Sequence, residues 1–362
     1  MAVFAPAVVY SPEIEHRQAD EEETIAELAT VFTGMARTVA EHEGHAHRAV
    51  HAKGHALLNG RFRVLDGLPA ELAHGLFATA GSYEALVRLS SPPAEQLPDN
   101  VSTPRAMAVK ILGVDGPRVD GGDELHSQDF LMVNGPAFST PGAHGFLRSA
   151  KLLAATTERM PRTKQALSAT LRGAEAALEA VGGQSATLKA LGGEPRHHPL
   201  GETYFTQVPF LYGPYMAKFS WVPVSPALLA LTGAPLPSGA DAQREAVAAF
   251  FADLSAPVEW ELRVQLCRDL EKMPIEDASV AWPEAISPFV AVGRLQVGAQ
   301  PSWNAAAAAR EDALAFAPWH ALAAHRPLGS LNRARRVVMA ASRQFRSQFN
   351  RCPLHEPGTA QG

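Results

Sequence analysis

The sequence predicts an α+β fold, an antiparallel eight-stranded β-barrel with helices packed outside it. Two observations predict it. Four short strand-like runs precede a stretch rich in Ala and Leu, and four more follow it. The last fifty residues then return to helical spacing, so strands and helices do not alternate as a parallel sheet requires. No internal repeat is present.

In chain order, residues 1–20 read as an extended arm, because Pro6 and Pro12 block helix. "DEEETIAELATVFTGMARTVAEH" is acidic at its start and apolar at helical spacing, which makes it a helix. From about residue 48 the period changes. "HALLNGRFRVL", "YEALVRLSS", "RAMAVKILGV" and "DFLMVN" are apolar or alternating runs separated by Gly, Pro, Asp and Asn. A helical insertion covers about 145–195. Strands return in "TYFTQVPFLYG", "YMAKFSWVPV", "VEWELRVQLC" and "FVAVGRLQVG", and helices occupy about 304–350, with "NAAAAAR" as a helix start. The expected organisation is an arm and helix over 1–40 and one barrel domain over 41–362.

Composition narrows the function. The chain has 362 residues, of which 46% are hydrophobic and 19% charged, and a net charge of −5. That is a globular make-up with no reason to bind nucleic acid. Cys267 and Cys352 cannot build a disulfide framework or a thiolate cluster, which fits a reducing compartment. The first residues lack a signal-peptide pattern and no uncharged run spans a bilayer, so the cytoplasm is the expected location.

Five of the fourteen histidines fall in "HEGHAHRAVHAKGH", residues 42–55. His45, His47, His51 and His55 would share one face of an extended strand. A transition-metal site is set aside, because Gly44 and Gly54 break strand geometry and no carboxylate or thiol nearby completes a ligand set. One reactive histidine is the better use of the segment.

"NRARRVVMAASRQFR", residues 332–346, puts Arg335, Met339 and Arg346 on one side of a helix, because spacings of four and seven return to one face. Alone it reads as an amphipathic helix with Met in the core.

Further segments carry a family resemblance. "RAVHAKG" resembles the arginine–x–x–histidine–alanine–lysine–glycine motif of monofunctional haem catalases. "LVRLSS", "TPRAMAVKILG", "QDFLMVNGPAF", "VEWELRVQLC" and "VAWPEAISPFVAVGRLQV" resemble later catalase segments in the right order. The resemblance runs from about residue 40 to 347. The chain lacks a flavodoxin-like C-terminal domain and most of the N-terminal threading arm, so it looks like the compact bacterial catalase-related branch.

The resemblance implies haem b and a small peroxide or organic hydroperoxide as substrate, with a homo-oligomer such as a dimer as the expected assembly. It implies His51 as the distal base, Ser90 as its hydrogen-bonding serine, Asn134 as the distal amide and Phe138 as a distal aromatic. Arg48, Arg88 and Arg346 match the arginines that hold the propionates, where permanently charged forked donors suit carboxylates. Arg335 matches the arginine beside the proximal tyrosinate, but the ligand position is Met339. A thioether is neutral and soft and favours ferrous iron, so peroxidase-like or specialised oxidative chemistry is expected rather than fast catalase turnover. A non-catalytic haem carrier or sensor, and a haemless barrel binding an apolar ligand, are the alternatives.

Overall fold

The protein is described from a computed structural model covering residues 4–119, 126–156 and 193–352, together with Pro357. The strand-forming runs become β1 (Lys53–Val64), β2 (Ser82–Ser91), β3 (Ala106–Leu112), β4 (Ser127–Val133), β5 (Tyr204–Phe205), β6 (Phe210–Tyr212), β7 (Tyr215–Pro223), β8 (Val258–Leu266) and β9 (Val290–Val297). The ring runs β1–β2–β3–β4–β5–β7–β8–β9 and closes back on β1, with every pairing antiparallel; β6 adds a short hairpin to β7. This is a closed eight-stranded barrel, as the sequence predicts. Closure leaves the ring no free edge.

Alternation along each strand fills the interior. Ala56, Leu58 and Phe62 of β1 meet Val87 and Leu89 of β2, Val109 of β3, Phe130 of β4, Phe219 and Trp221 of β7 and Leu262 of β8. Gly293 of β9 allows a close approach, since a Cβ there would lie 2.3 Å from the Phe62 ring.

One expected strand divides in two. "TYFTQVPFLYG" breaks into β5 and β6 because Gln207 adopts a left-handed φ of 62° and Pro209 has no N–H to donate. The Gln207 amide instead donates to Gly135 O (3.0 Å) and Ala137 O (2.7 Å), which pins the loop after β4.

Outside the barrel, α1 (Glu21–Glu43), α2 (Ala143–Thr156) and α5 (Ser330–Phe349) form a second core. Leu28, Phe32, Met35 and Val39 of α1 pack with Leu147 of α2 and with Ala334 and Val338 of α5. Arg333 locks these helices to the barrel loops through Glu15, Glu21 and Glu276. Two further helices, α3 (Ala242–Ala252) and α4 (Ala305–Ala313), lie nearer β1. Most of the expected insertion, 157–192, lies outside the described residues. Among the described residues no helix is long and apolar enough to cross a membrane.

Candidate functional site

The segment between α1 and β1 carries the histidines. Gly44 ends α1 in the left-handed conformation (φ 71°), and regular strand begins only at Lys53. The expectation that four histidines share one strand face is therefore corrected, because residues 44–52 form a loop. His51 itself has φ 54°, a conformation a non-glycine residue holds only when its surroundings compensate. Arg88 supplies part of that compensation, donating from Nη2 to His51 O at 2.7 Å.

The His51 ring is a neutral imidazole. Burial, reinforced by the Arg88 and Arg335 charges, pushes its pKa down to about 3. It can accept a proton without first having to lose one. Its Nδ1 is buried and makes no hydrogen bond among the described residues.

Strand alternation places Arg88 and Ser90 on the outer wall of the barrel, opposite Val87 and Leu89 in the core. Ser90 is buried there, but no hydrogen bond joins it to His51. The Ser90–His51 hydrogen bond implied by the resemblance is absent, and Arg88 restrains His51 through its carbonyl.

The three arginines expected to hold propionates do converge, on the end of α4. Arg48 donates from Nη1 to Glu311 Oε1 at 2.5 Å and from Nη2 to the carbonyls of Glu311 (2.8 Å) and Leu314 (2.9 Å). Arg88 Nε donates to the same Glu311 oxygen. Arg346, on α5, donates from Nη2 to Asp312 O at 2.8 Å and more weakly to Leu314 O, while its buried Nε has no partner among the described residues.

Burial alone would raise the Glu311 carboxyl. The Arg48, Arg88 and Arg346 charges outweigh it and hold the group below the usual carboxylate range. Sequence reasoning missed Glu311. Its only signal was an acidic residue ending an otherwise Ala-rich helical run.

On α5, Arg335 and Met339 lie one turn apart and both are half-buried. Among the described residues Arg335 has only a 3.4 Å bond to Asn332 Oδ1, and burial lowers its pKa to about 10, so it remains cationic at neutral pH. The loop and α5 touch where Ala49 N–H donates to Ser342 Oγ at 3.2 Å.

Asn134 is engaged elsewhere. Its Oδ1 accepts from Arg105 N at 2.8 Å and its Nδ2 donates to Glu194 Oε1 at 2.8 Å, so this amide braces the β3–β4 end of the barrel. That placement departs from the distal amide role, because both ends of the amide have partners in the fold. Phe138 packs edge-to-face on Phe146 of α2, with ring centroids 5.2 Å apart, and against the barrel core.

No protein family model matches the chain, and no curated protein does. Solved structures do match. A bacterial catalase aligns over 97% of this chain at 16% identity with a TM-score of 0.60. Catalase A from Saccharomyces cerevisiae aligns over 89% at 17% identity, also with a TM-score of 0.60. The fold is catalase-like. A fungal catalase aligns over 90% at 15% identity with a TM-score of 0.55. The chain spans about two thirds of the length of these catalases, covering 66%, 65% and 64% of them.

Proposed function

We propose that this chain is a haem b protein of catalase-like fold that acts on hydrogen peroxide or an organic hydroperoxide. The charge balance around His51 carries the reading. Four guanidiniums, Arg48, Arg88, Arg335 and Arg346, gather in this region, against the carboxylates Glu311 and Asp312. An excess of two positive charges, with Arg88 and Arg346 buried and Arg48 and Arg335 half-buried, is costly unless anions relieve it, and a dianionic ligand with two carboxylates balances the count. Among the described residues the unpartnered Arg346 Nε and the weakly bonded Arg335 are donors left to receive it. The residues present therefore fit haem in charge and in hydrogen-bonding capacity.

In this reading Arg346 and Arg335 hold the propionates, and Arg48 and Arg88 share themselves with Glu311. Phe138 offers an apolar wall. Met339, half-buried one turn from Arg335, would be the side chain that holds the iron. Haem would supply the redox-active iron at which peroxide is reduced. His51, a half-buried neutral imidazole, would be the group that accepts a peroxide proton at a ring nitrogen and gives it back. Asn134 has no part in this, being committed to Arg105 and Glu194. The cytoplasm remains the expected compartment and a homo-oligomer the expected assembly.

One observation favours a second reading, a haemless barrel that binds an apolar ligand. Glu311 already supplies Arg48 and Arg88 with an internal carboxylate. Titration of purified protein with haemin separates the two. A Soret band at one equivalent and a raised melting temperature are expected. Neither a Soret band nor a thermal gain leaves the haemless barrel as the answer.

A further inference from the structure

We propose that His45, His47 and Asp312 form a binding site for a divalent transition-metal ion of the zinc class, at the surface beside the arginine cluster. The loop over 44–52 brings the His45 and His47 imidazoles together but has no carboxylate of its own to complete a set. Asp312, 267 residues away in sequence from His45, supplies it. One ligand atom from each of the three residues lies within 4.8 Å of the others, and His45 Nε2 is 2.9 Å from Asp312 Oδ2. In a tetrahedral zinc site with bonds of about 2.0–2.1 Å, ligand atoms stand about 3.3 Å apart. The His45–Asp312 pair is therefore already close to that separation, and the His47 ligand atom lies within 4.8 Å of both.

The scaffold positions these groups in advance. Asn350, just past α5, accepts from Ala46 N at Oδ1 (2.8 Å) and donates from Nδ2 to Ala46 O (2.9 Å). Both backbone groups of the residue between the two histidines are thereby fixed, and the rings stand 5.0 Å apart between centroids. Asp312 sits in the last turn of α4, whose carbonyls Arg48 and Arg346 bind. Glu43 Oε2, 2.9 Å from His47 Nε2, brings a second negative charge. It offsets part of the charge of a divalent ion held beside Asp312. All three ligands are half-buried, so an ion can enter from solvent. Two imidazoles and a carboxylate suit zinc, nickel, cobalt or copper, whereas calcium and magnesium prefer all-oxygen sets.

The test is calorimetric titration of the full chain with zinc chloride after dialysis against EDTA, with metal content measured by mass spectrometry. Haem content is measured on the same samples, so haem iron is counted apart. One zinc per chain is expected, with calcium failing to compete. His45→Asn, His47→Asn and Asp312→Asn, each checked for wild-type circular dichroism, should each weaken binding at least tenfold. Three independent conservative variants keep the test decisive should one fail to fold. No zinc uptake at micromolar concentrations overturns the proposal, as does uptake that the folded variants leave unchanged, which would assign it to other histidines.

Discussion

Replacing Glu311 by Gln tests the electrostatic organisation of the site directly. Its carboxylate is buried, accepts from both Arg48 and Arg88, and is held ionised by them. Glutamine keeps the shape and removes the charge, leaving two guanidiniums packed against each other without their shared anion. Breaking a buried pair from one side costs about 3–5 kcal/mol. At about 2.1 cal/mol/K per residue, a chain of 362 residues unfolds with an entropy of about 760 cal/mol/K. The expected fall in melting temperature is therefore about 4–7 °C, read by calorimetry on the haem-free protein.

The effect should also depend on pH. Glu311 has a folded pKa below its unfolded value, so its contribution is fully present above the usual value near 4.5 and is lost as pH falls through the lowered one. The gap between wild type and E311Q should narrow in acid across that window. A variant within about 1 kcal/mol of wild type at pH 7, with an unchanged acid profile, would refute the role of Glu311 as counter-ion. In the haem reading E311Q should also bind haemin more tightly, because Arg48 and Arg88 become free for propionate.

Three further outcomes are expected. His51→Ala should leave haem content nearly unchanged and lower peroxide turnover by about a hundredfold or more, measured as oxygen release or dye oxidation; equal rates would remove His51 from the chemistry. Met339→Tyr should change the ferric spectrum and lower the reduction potential, because Arg335 one turn earlier stabilises a phenolate. If Met339 only fills space, the same change destabilises the fold by about 1–3 kcal/mol and leaves the iron spectrum as it was. Lys218 donates to Val280 O at 3.0 Å, and burial lowers its pKa to about 7. Between pH 7 and about 10 the unfolded chain binds the extra proton, so wild-type stability should rise with pH there relative to Lys218→Met, by about 2 kcal/mol between pH 7 and 9 in denaturant titrations. Parallel curves for the two proteins would contradict it.

The sequence by itself determined the barrel. Alternation in β1 to β4 and in β7 to β9 is a local property, and burying one face of every run leaves closure as the solution. It also determined which side of α5 bears Arg335, Met339 and Arg346, because helical periodicity is local too. The break at Gln207 was not legible. Its left-handed backbone is stabilised by carbonyls of Gly135 and Ala137, about seventy residues earlier. Nor was Glu311, whose importance comes from two arginines more than two hundred residues away in sequence. The histidine loop shows the division most clearly. Residues 42–55 contain the imidazoles but no aspartate, and a carboxylate from α4 arrives only when the chain folds back. Periodicity specifies which face a side chain occupies; which charge it meets is decided by contacts between distant segments, and only the tertiary structure holds those.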